Sequence, residues 1–448
     1  MPVIIVRYLG RGNPAEIYIL SNVENWQTYL TYGFAHFGKS LVWYASELLF
    51  AYFLTELGGL TPEQMGMVLA MSLLASAPIE ILTSLRLGGR LADARSAGGV
   101  QFVGAVLSSA ALLAVFAGAF LPDHIRFAYS LLAGLGFRIG FALYDLPQNS
   151  LMALVPADST GRIRFAAIRI LLSGLATLTV AGTVGPLVAA SREQEGSQFL
   201  LVIASLFGMI AITSAWHFAR LLHRTTLPIN IPNTSHRTAT WGISFQRDFW
   251  LLICLMFVTS SFTPIFSKLE PYFAAYVLQS PFWGGGVVIA MALGLLIGQP
   301  VWLCGSGKVS PERLTLGAAL LQLASLAGFW LSGSANPVPS VVCAFVFGLG
   351  NGGVGTMLWG LFSGTVARME PRYTGISYGI FAAASRVASA ASIFLVSLAL
   401  AGIDFRVSDT LQILALMTAL PAFGSVLIML IGAGLLSHPS SGSFSKHS

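Results

Sequence analysis

The sequence predicts an all-α membrane protein of twelve transmembrane helices arranged in two six-helix halves. Three observations predict it. Of 448 residues, 55% are hydrophobic and 9% charged, whereas a soluble domain carries about 25% charged residues. The apolar residues gather into twelve runs, each near the ~20 residues a helix needs to cross a hydrocarbon core. Lys and Arg are divided unevenly between the segments that join those runs, as the positive-inside rule requires of a polytopic protein.

In chain order the runs lie near 28–55, 62–87, 98–121, 125–154, 163–190 and 197–221, then near 248–277, 281–304, 312–332, 337–366, 373–401 and 409–436. The longest polar interruption, 222–247, separates the sixth from the seventh. The chain therefore divides into an N-terminal cytoplasmic segment 1–27, a first half 28–221, a central cytoplasmic loop 222–247, a second half 248–436 and a cytoplasmic tail 437–448. The apolar stretch Pro2 to Val6 is broken at Arg7 and gives no signal-peptide core. Alternate joining segments hold Arg86, Arg90, Arg95, Arg162, Arg164, Arg220, Arg224, Lys308, Arg313, Arg368 and Arg372, while the opposite ones hold only Arg126, Arg192 and Arg406, with Glu56, Glu63, Asp123, Glu193, Glu195, Asp404 and Asp409. This asymmetry places both termini in the cytoplasm and the chain in the cell (inner) membrane. The Asn233-Thr234-Ser235 sequon falls in the inner loop and is read as chance.

Composition also excludes classes. The net charge of +6 fits basic cytoplasmic loops rather than nucleic-acid binding. Cys254, Cys304 and Cys343 are odd in number and share no ligand spacing, so neither a disulfide framework nor a metal site is expected. No nucleotide loop or nucleophile–base pair with usable spacing occurs, so the chain is not read as an enzyme and no cofactor is expected. The expected partners are the lipid bilayer, a small-molecule solute and, if transport is coupled, a proton.

Lys39, Glu47, Glu80, Arg138, Asp145, Arg169 and Arg386 stand inside the apolar runs. A charge at the bilayer centre costs about 2.5–3.5 kcal/mol on insertion scales, so such residues face a water-filled cavity or one another. A polar path through a helical bundle points to transport. Two pairings along single helices are open alternatives to a solute role. Arg138 and Asp145 are seven apart, and Lys39 and Glu47 eight apart, so each pair lies on one helix face. Glu80 has the alternative of pairing with a basic group on another helix. His36 reads as a polar residue packed against a neighbouring helix. Trp43, Tyr44, Trp283, Trp302 and Trp359 are the aromatic residues able to stack on a sugar ring, with Trp43 and Trp359 preferred; membrane tryptophans also serve as interfacial anchors.

Several motifs carry a resemblance. Gly89-Arg90-Leu91-Ala92-Asp93-Ala94-Arg95 follows the second run. There Gly89 allows a turn, Asp93 can cap a helix, and Arg95 can pair with a neighbouring helix. It resembles the major facilitator superfamily signature between spans two and three, and Gly305-Ser306-Gly307-Lys308 is a degenerate echo in the second half. Tyr32-Gly33, Gly38-Lys39-Ser40 and Gly59-Leu60-Thr61 resemble the opening of the glycoside–pentoside–hexuronide cation symporters, the melibiose permease family. Tyr144-Asp145-Leu146-Pro147-Gln148-Asn149-Ser150-Leu151 resembles the family's Asp-Ile-Pro-x-x-Ser-Leu pattern. Tyr272-Phe273-Ala274-Ala275-Tyr276-Val277-Leu278 and Thr374-Gly375-Ile376-Ser377-Tyr378-Gly379 resemble its spans seven and eleven.

The resemblance implies the major facilitator fold, a sugar-like solute, and substrate contact through Asp145 supported by Lys39, Arg169 and Arg386. Ser40 stands where the melibiose permease has a sugar-binding aspartate, and Asn149 replaces an aromatic, so the solute is expected to differ. Two cation-binding aspartates of the family's second span fall at Ser76 and Glu80 or, counted back from Gly89, at Ile81 and Leu85. Either way at least one carboxylate is missing. A hard cation needs several oxygen ligands, whereas a proton needs one carboxylate, so Glu80 or Glu47 would carry a proton in a coupled transporter. The expected function is alternating-access transport of a sugar-like or other polar organic solute, proton-coupled or uncoupled rather than sodium-coupled. The rivals are a lysolipid transporter and a receptor or assembly factor that no longer transports.

Overall fold

A computed structural model describes residues 3–6, 17–20, 26–156, 158–183, 193–224, 246–278, 280–332, 337–401 and 410–437. The first half contains α1 (Trp26–Tyr52), α2 (Pro62–Leu87), α3 (Ala94–Ala117), α4 (Asp123–Leu154), α5 (Ser159–Ala181) and α6 (Glu193–Arg224). The second contains α7 (Arg247–Tyr272), α8 (Pro281–Ser306), α9 (Pro311–Ser332), α10 (Pro337–Ala367), α11 (Thr374–Ala401) and α12 (Thr410–Leu436). Ten of these twelve helices are long and apolar enough to cross a membrane by length and composition; α1 and α11 complete the two sets of six. Most of the central loop and tail assigned from the sequence lie outside the described residues.

The N-terminal segment holds one feature that helical periodicity could not show. Strands β1 (Val3–Val6) and β2 (Ile17–Leu20) pair antiparallel, with Val3 opposite Leu20 and Val6 opposite Ile17. Both four-residue stretches are rich in β-branched or aromatic side chains, which favour a pleated surface.

Helix starts follow local chemistry. Thr61 accepts a hydrogen bond from the Gln64 backbone N–H, while the Gln64 side chain accepts from the Thr61 N–H, a capping box that opens α2. Gly59 just before it adopts φ +64°, a left-handed conformation that favours glycine. Asp93 accepts from the Ser96 N–H at 2.8 Å and caps α3. The chain does turn at Gly88 and Gly89, between α2 and the short 3-10 turn Arg90–Ala92, but Gly89 has φ −64° and ψ −34°, right-handed values that any residue adopts in a turn. Arg95 lies half-buried in the first turn of α3. Both α1 and α7 run on into π-helical turns, Phe53–Leu57 and Phe273–Leu278, a winding frequent at functional sites.

The two halves meet through α2 against α11, α5 against α8 and α10, and α4 against α11. Some of these crossings are close at the end bearing the basic residues. A Cβ on Gly360 would stand 2.9 Å from Ile163 Cγ1, and one on Gly379 would overlap the Ser84 side chain. Leu91, Ala142 and Leu146 of the first half cluster there with Ala382 of the second. Gly379→Val is accordingly expected to prevent this end from closing, since overpacking costs about 1–3 kcal/mol. Thiol labelling of a single cysteine at Ser84 should rise in that background; unchanged labelling would show that the crossing yields elsewhere.

Candidate functional site

The site grows from charges that the apolar helices cannot leave in lipid. Lys39 sits midway along α1, Asp145 on α4 and Arg169 on α5; Arg386 approaches from α11 and Trp359 from α10. They surround a cavity of about 140 Å³ between the halves, room for several waters at the roughly 10–15 Å³ that each requires.

Two polar chains organise its wall. Lys39 Nζ lies 2.5 Å from Asp145 Oδ1, with the two side chains 4% and 9% exposed. Asn149 Nδ2, one turn further along α4, donates to Asp145 Oδ2 at 2.9 Å. Arg169 Nη1 donates to Asn149 Oδ1, and the guanidinium lies 3.7 Å above the Trp359 ring centroid. A chain thus runs from α1 through α4 and α5 to a tryptophan of the second half. The second chain begins on α2, where Glu80 Oε1 accepts from Arg386 Nε at 2.9 Å. That guanidinium lies 4.0 Å above the Trp43 ring of α1. Both chains cross between the halves, so relative movement of the halves must break or carry them.

Pro147 lies inside α4 two residues beyond Asp145. Having no N–H, it interrupts the helical hydrogen-bond ladder at the level of the site. His36 Nε2 lies 2.8 Å from Ser173 Oγ and Nδ1 3.3 Å from Gln148 Oε1, so His36 makes interhelical contacts and also lines the cavity.

Of the residues singled out from the sequence, Lys39, Trp43, Asp145, Asn149, Arg169, Trp359 and Arg386 line the cavity. Glu80 reaches it through Arg386. Glu47 and Arg138 stand apart as a pair at 3.6 Å, with the Glu47 side chain 41% exposed. Gly89, Asp93 and Arg95 belong to the basic end.

Both single-helix pairings are therefore corrected: Asp145 meets Lys39 rather than Arg138, and Glu47 meets Arg138 rather than Lys39. Seven or eight residues on one helix are about 10–12 Å apart along the axis, and only neighbours three or four apart touch. Tyr44 also lines the cavity, whereas Trp302 is packed away, its Nε1 donating to the Leu349 carbonyl at 2.8 Å. Ser76 and Glu80 are both buried while Leu85 is exposed, which favours the first of the two alignments of the second span.

The sequence reading missed Ser173, Phe141, Met256 and Ser385, which also line the cavity. Ser173 was legible, because it lies one turn from Arg169 on α5; the other three carry no charge to mark them. Lys268 and Glu270 of α7 were missed as well. Lys268 Nζ donates to Ser392 Oγ at 3.1 Å, and Glu270 is 6% exposed. Among the described residues no cluster of His, Cys, Asp and Glu could hold a metal ion.

A family model described as MFS/sugar transport protein matches residues 31–437. A search of curated protein sequences gave no match. Among solved structures, the chain superposes on a bacterial homologue of the iron transporter ferroportin in an outward-facing state with a TM-score of 0.70 at 15% identity, covering 92% of this chain and 99% of that one. The fucose:proton symporter of E. coli gives 0.63 at 12% identity, covering 91% and 98%. The human organic anion transporter MFSD10 gives 0.55 at 14%, again covering 91% and 98%. At these identities the likeness is one of fold.

Proposed function

The chain belongs to the major facilitator superfamily, in the family described as MFS/sugar transport protein, and from that premise we propose that it carries a sugar-like or other polar organic solute by alternating access, proton-coupled or uncoupled rather than sodium-coupled. The observation that carries this reading is the Lys39–Asp145–Asn149–Arg169 chain on the wall of a cavity between the halves. A carboxylate accepts several hydrogen bonds, and charge-assisted ones are the stronger kind, so Asp145 suits solute hydroxyls. Trp43 and Trp359 line the cavity from opposite halves, each with a guanidinium over its ring. The basic residues orient the end where Gly379 crosses Ser84 toward the cytoplasm of the cell (inner) membrane, with both termini on that side. Opening that end then requires the α2–α11 and α5–α10 crossings to part.

Charge balance sharpens the solute class. The cavity and its immediate support hold Lys39, Arg169 and Arg386 against Asp145 and Glu80, three cations to two carboxylates. Arg169 donates to a neutral amide and is the cation suited to a carboxylate on the solute.

Glu80 suits proton coupling. It is buried, it holds Arg386 with one oxygen, and its Oε2 has no hydrogen-bond partner. Glu47, the other carboxylate considered, is more exposed and farther from the cavity.

Solute-induced thermal stabilisation of the purified chain tests the site. Sugar acids should raise the melting temperature at lower concentration than the matching neutral sugars, and Arg169→Gln should erase that preference. Equal response to acids and neutral sugars would remove the charge argument. Stabilisation by lysolipids alone would transfer the site to the lysolipid reading, and the absence of any solute response in folded protein would favour the non-transporting one.

A further inference from the structure

We propose that a groove between α1 and α6, outside the transport cavity, binds an anionic phospholipid by its phosphate and one acyl chain. The groove measures about 830 Å³, far larger than the central cavity. Its apolar part is formed by Leu30, Phe34 and Ile210, and its polar end by His217, Arg220 and Arg224. Leu30 and Phe34 are 56% and 61% exposed, so the apolar part opens onto the lipid. No acidic residue lines it among the described residues. Apolar surface leading to a cationic end is the complement of an acyl chain joined to a phosphate.

Position supports the assignment. The 32 residues of α6 extend about 48 Å at 1.5 Å per residue, beyond the ~30 Å hydrocarbon core. The last turns, which carry His217, Arg220 and Arg224, therefore reach the headgroup layer. Trp216 and Trp26 are 43% and 75% exposed at this end, suited to anchoring at the interface. The Arg220 guanidinium lies 4.1 Å above the Trp216 ring. Stacking fixes the plane of the guanidinium and leaves its N–H edge for bidentate contact with a phosphate. Basic pockets between helices on the cytoplasmic side suit anionic headgroups.

The test is native mass spectrometry of the full chain released from nanodiscs of phosphatidylcholine doped with phosphatidylglycerol. The wild-type protein should retain phosphatidylglycerol in preference to phosphatidylcholine. Arg220→Gln/Arg224→Gln should lower retained phosphatidylglycerol by roughly tenfold or more without changing retained phosphatidylcholine. Glycerol phosphate, the soluble headgroup, should not displace the lipid. Equal retention by the variant overturns the proposal. Displacement by glycerol phosphate would assign the groove to a soluble phosphate compound, and a dimer independent of lipid would assign it to a second copy of the chain; either contradicts it. If the double variant fails to fold, the wild-type chain still decides: phosphatidylglycerol should raise its melting temperature above that in phosphatidylcholine, and identical values overturn the proposal.

Discussion

Asp145→Asn is expected to abolish solute uptake by proteoliposomes while the protein stays folded and inserted. Replacing the carboxylate with an amide removes charge-assisted hydrogen bonds worth about 1.5–3 kcal/mol, a tenfold to hundredfold loss of affinity at about 1.4 kcal/mol per decade. The substitution also strands Lys39, whose side chain is 4% exposed. Breaking a buried ion pair by removing one partner costs about 3–5 kcal/mol, so lost uptake alone would not separate a solute contact from structural damage. The double variant Lys39→Gln/Asp145→Asn separates them, because neither member of the buried pair then carries a charge. If Asp145 binds solute, the double variant should regain the wild-type melting temperature and remain inactive. Recovery of uptake would make the pair structural.

The second large effect is expected at Glu80→Gln. Glu80 on α2 and Arg386 on α11 form an ion pair between the halves at 2.9 Å, with side chains 3% and 13% exposed. One turn along α2, Ser84 lies at the tight crossing beside Gly379. Without the charge on Glu80, Arg386 keeps its place over Trp43, but its charge-assisted bond to α2 becomes at best a weaker neutral-acceptor one. The basic end should then open more often, by about tenfold for each 1.4 kcal/mol lost, read as faster labelling of a single cysteine at Ser84. In a proton-coupled transporter the same substitution should also remove the stimulation of uptake by a pH gradient. Arg386→Gln should reproduce the labelling change. Unchanged labelling in both variants would show that the pair does not hold the halves together.

The helices were legible because a bilayer demands long apolar segments whatever surrounds them. The predicted runs 62–87 and 337–366 correspond to α2 (Pro62–Leu87) and α10 (Pro337–Ala367). The charges that line the cavity were legible for the same reason, since Lys39, Asp145, Arg169 and Arg386 stand where lipid would exclude them. Their partners were not. Periodicity places Asp145 and Arg138 on one face of α4 but does not say which neighbouring helix each confronts; α1 passes both, bringing Lys39 to one and Glu47 to the other. Glu80 and Arg386 lie 306 positions apart, a pairing that depends on how the halves dock. Lys268 and Glu270 also stand inside an apolar run, 248–277, and meet the same criterion. Met256 and Ser385 enter the cavity through helix packing alone and left no mark in the pattern.

The most direct test is counterflow uptake of a labelled sugar and sugar-acid panel into proteoliposomes, with and without an imposed pH gradient, comparing wild type with Asp145→Asn. Uptake of at least one member by the wild type, lost in Asp145→Asn and still absent in Lys39→Gln/Asp145→Asn, where Lys39 is not stranded, is the result expected of a solute carrier with Asp145 at its binding site. No uptake of any member by folded, inserted wild-type protein, or uptake that Asp145→Asn leaves unchanged, would contradict it.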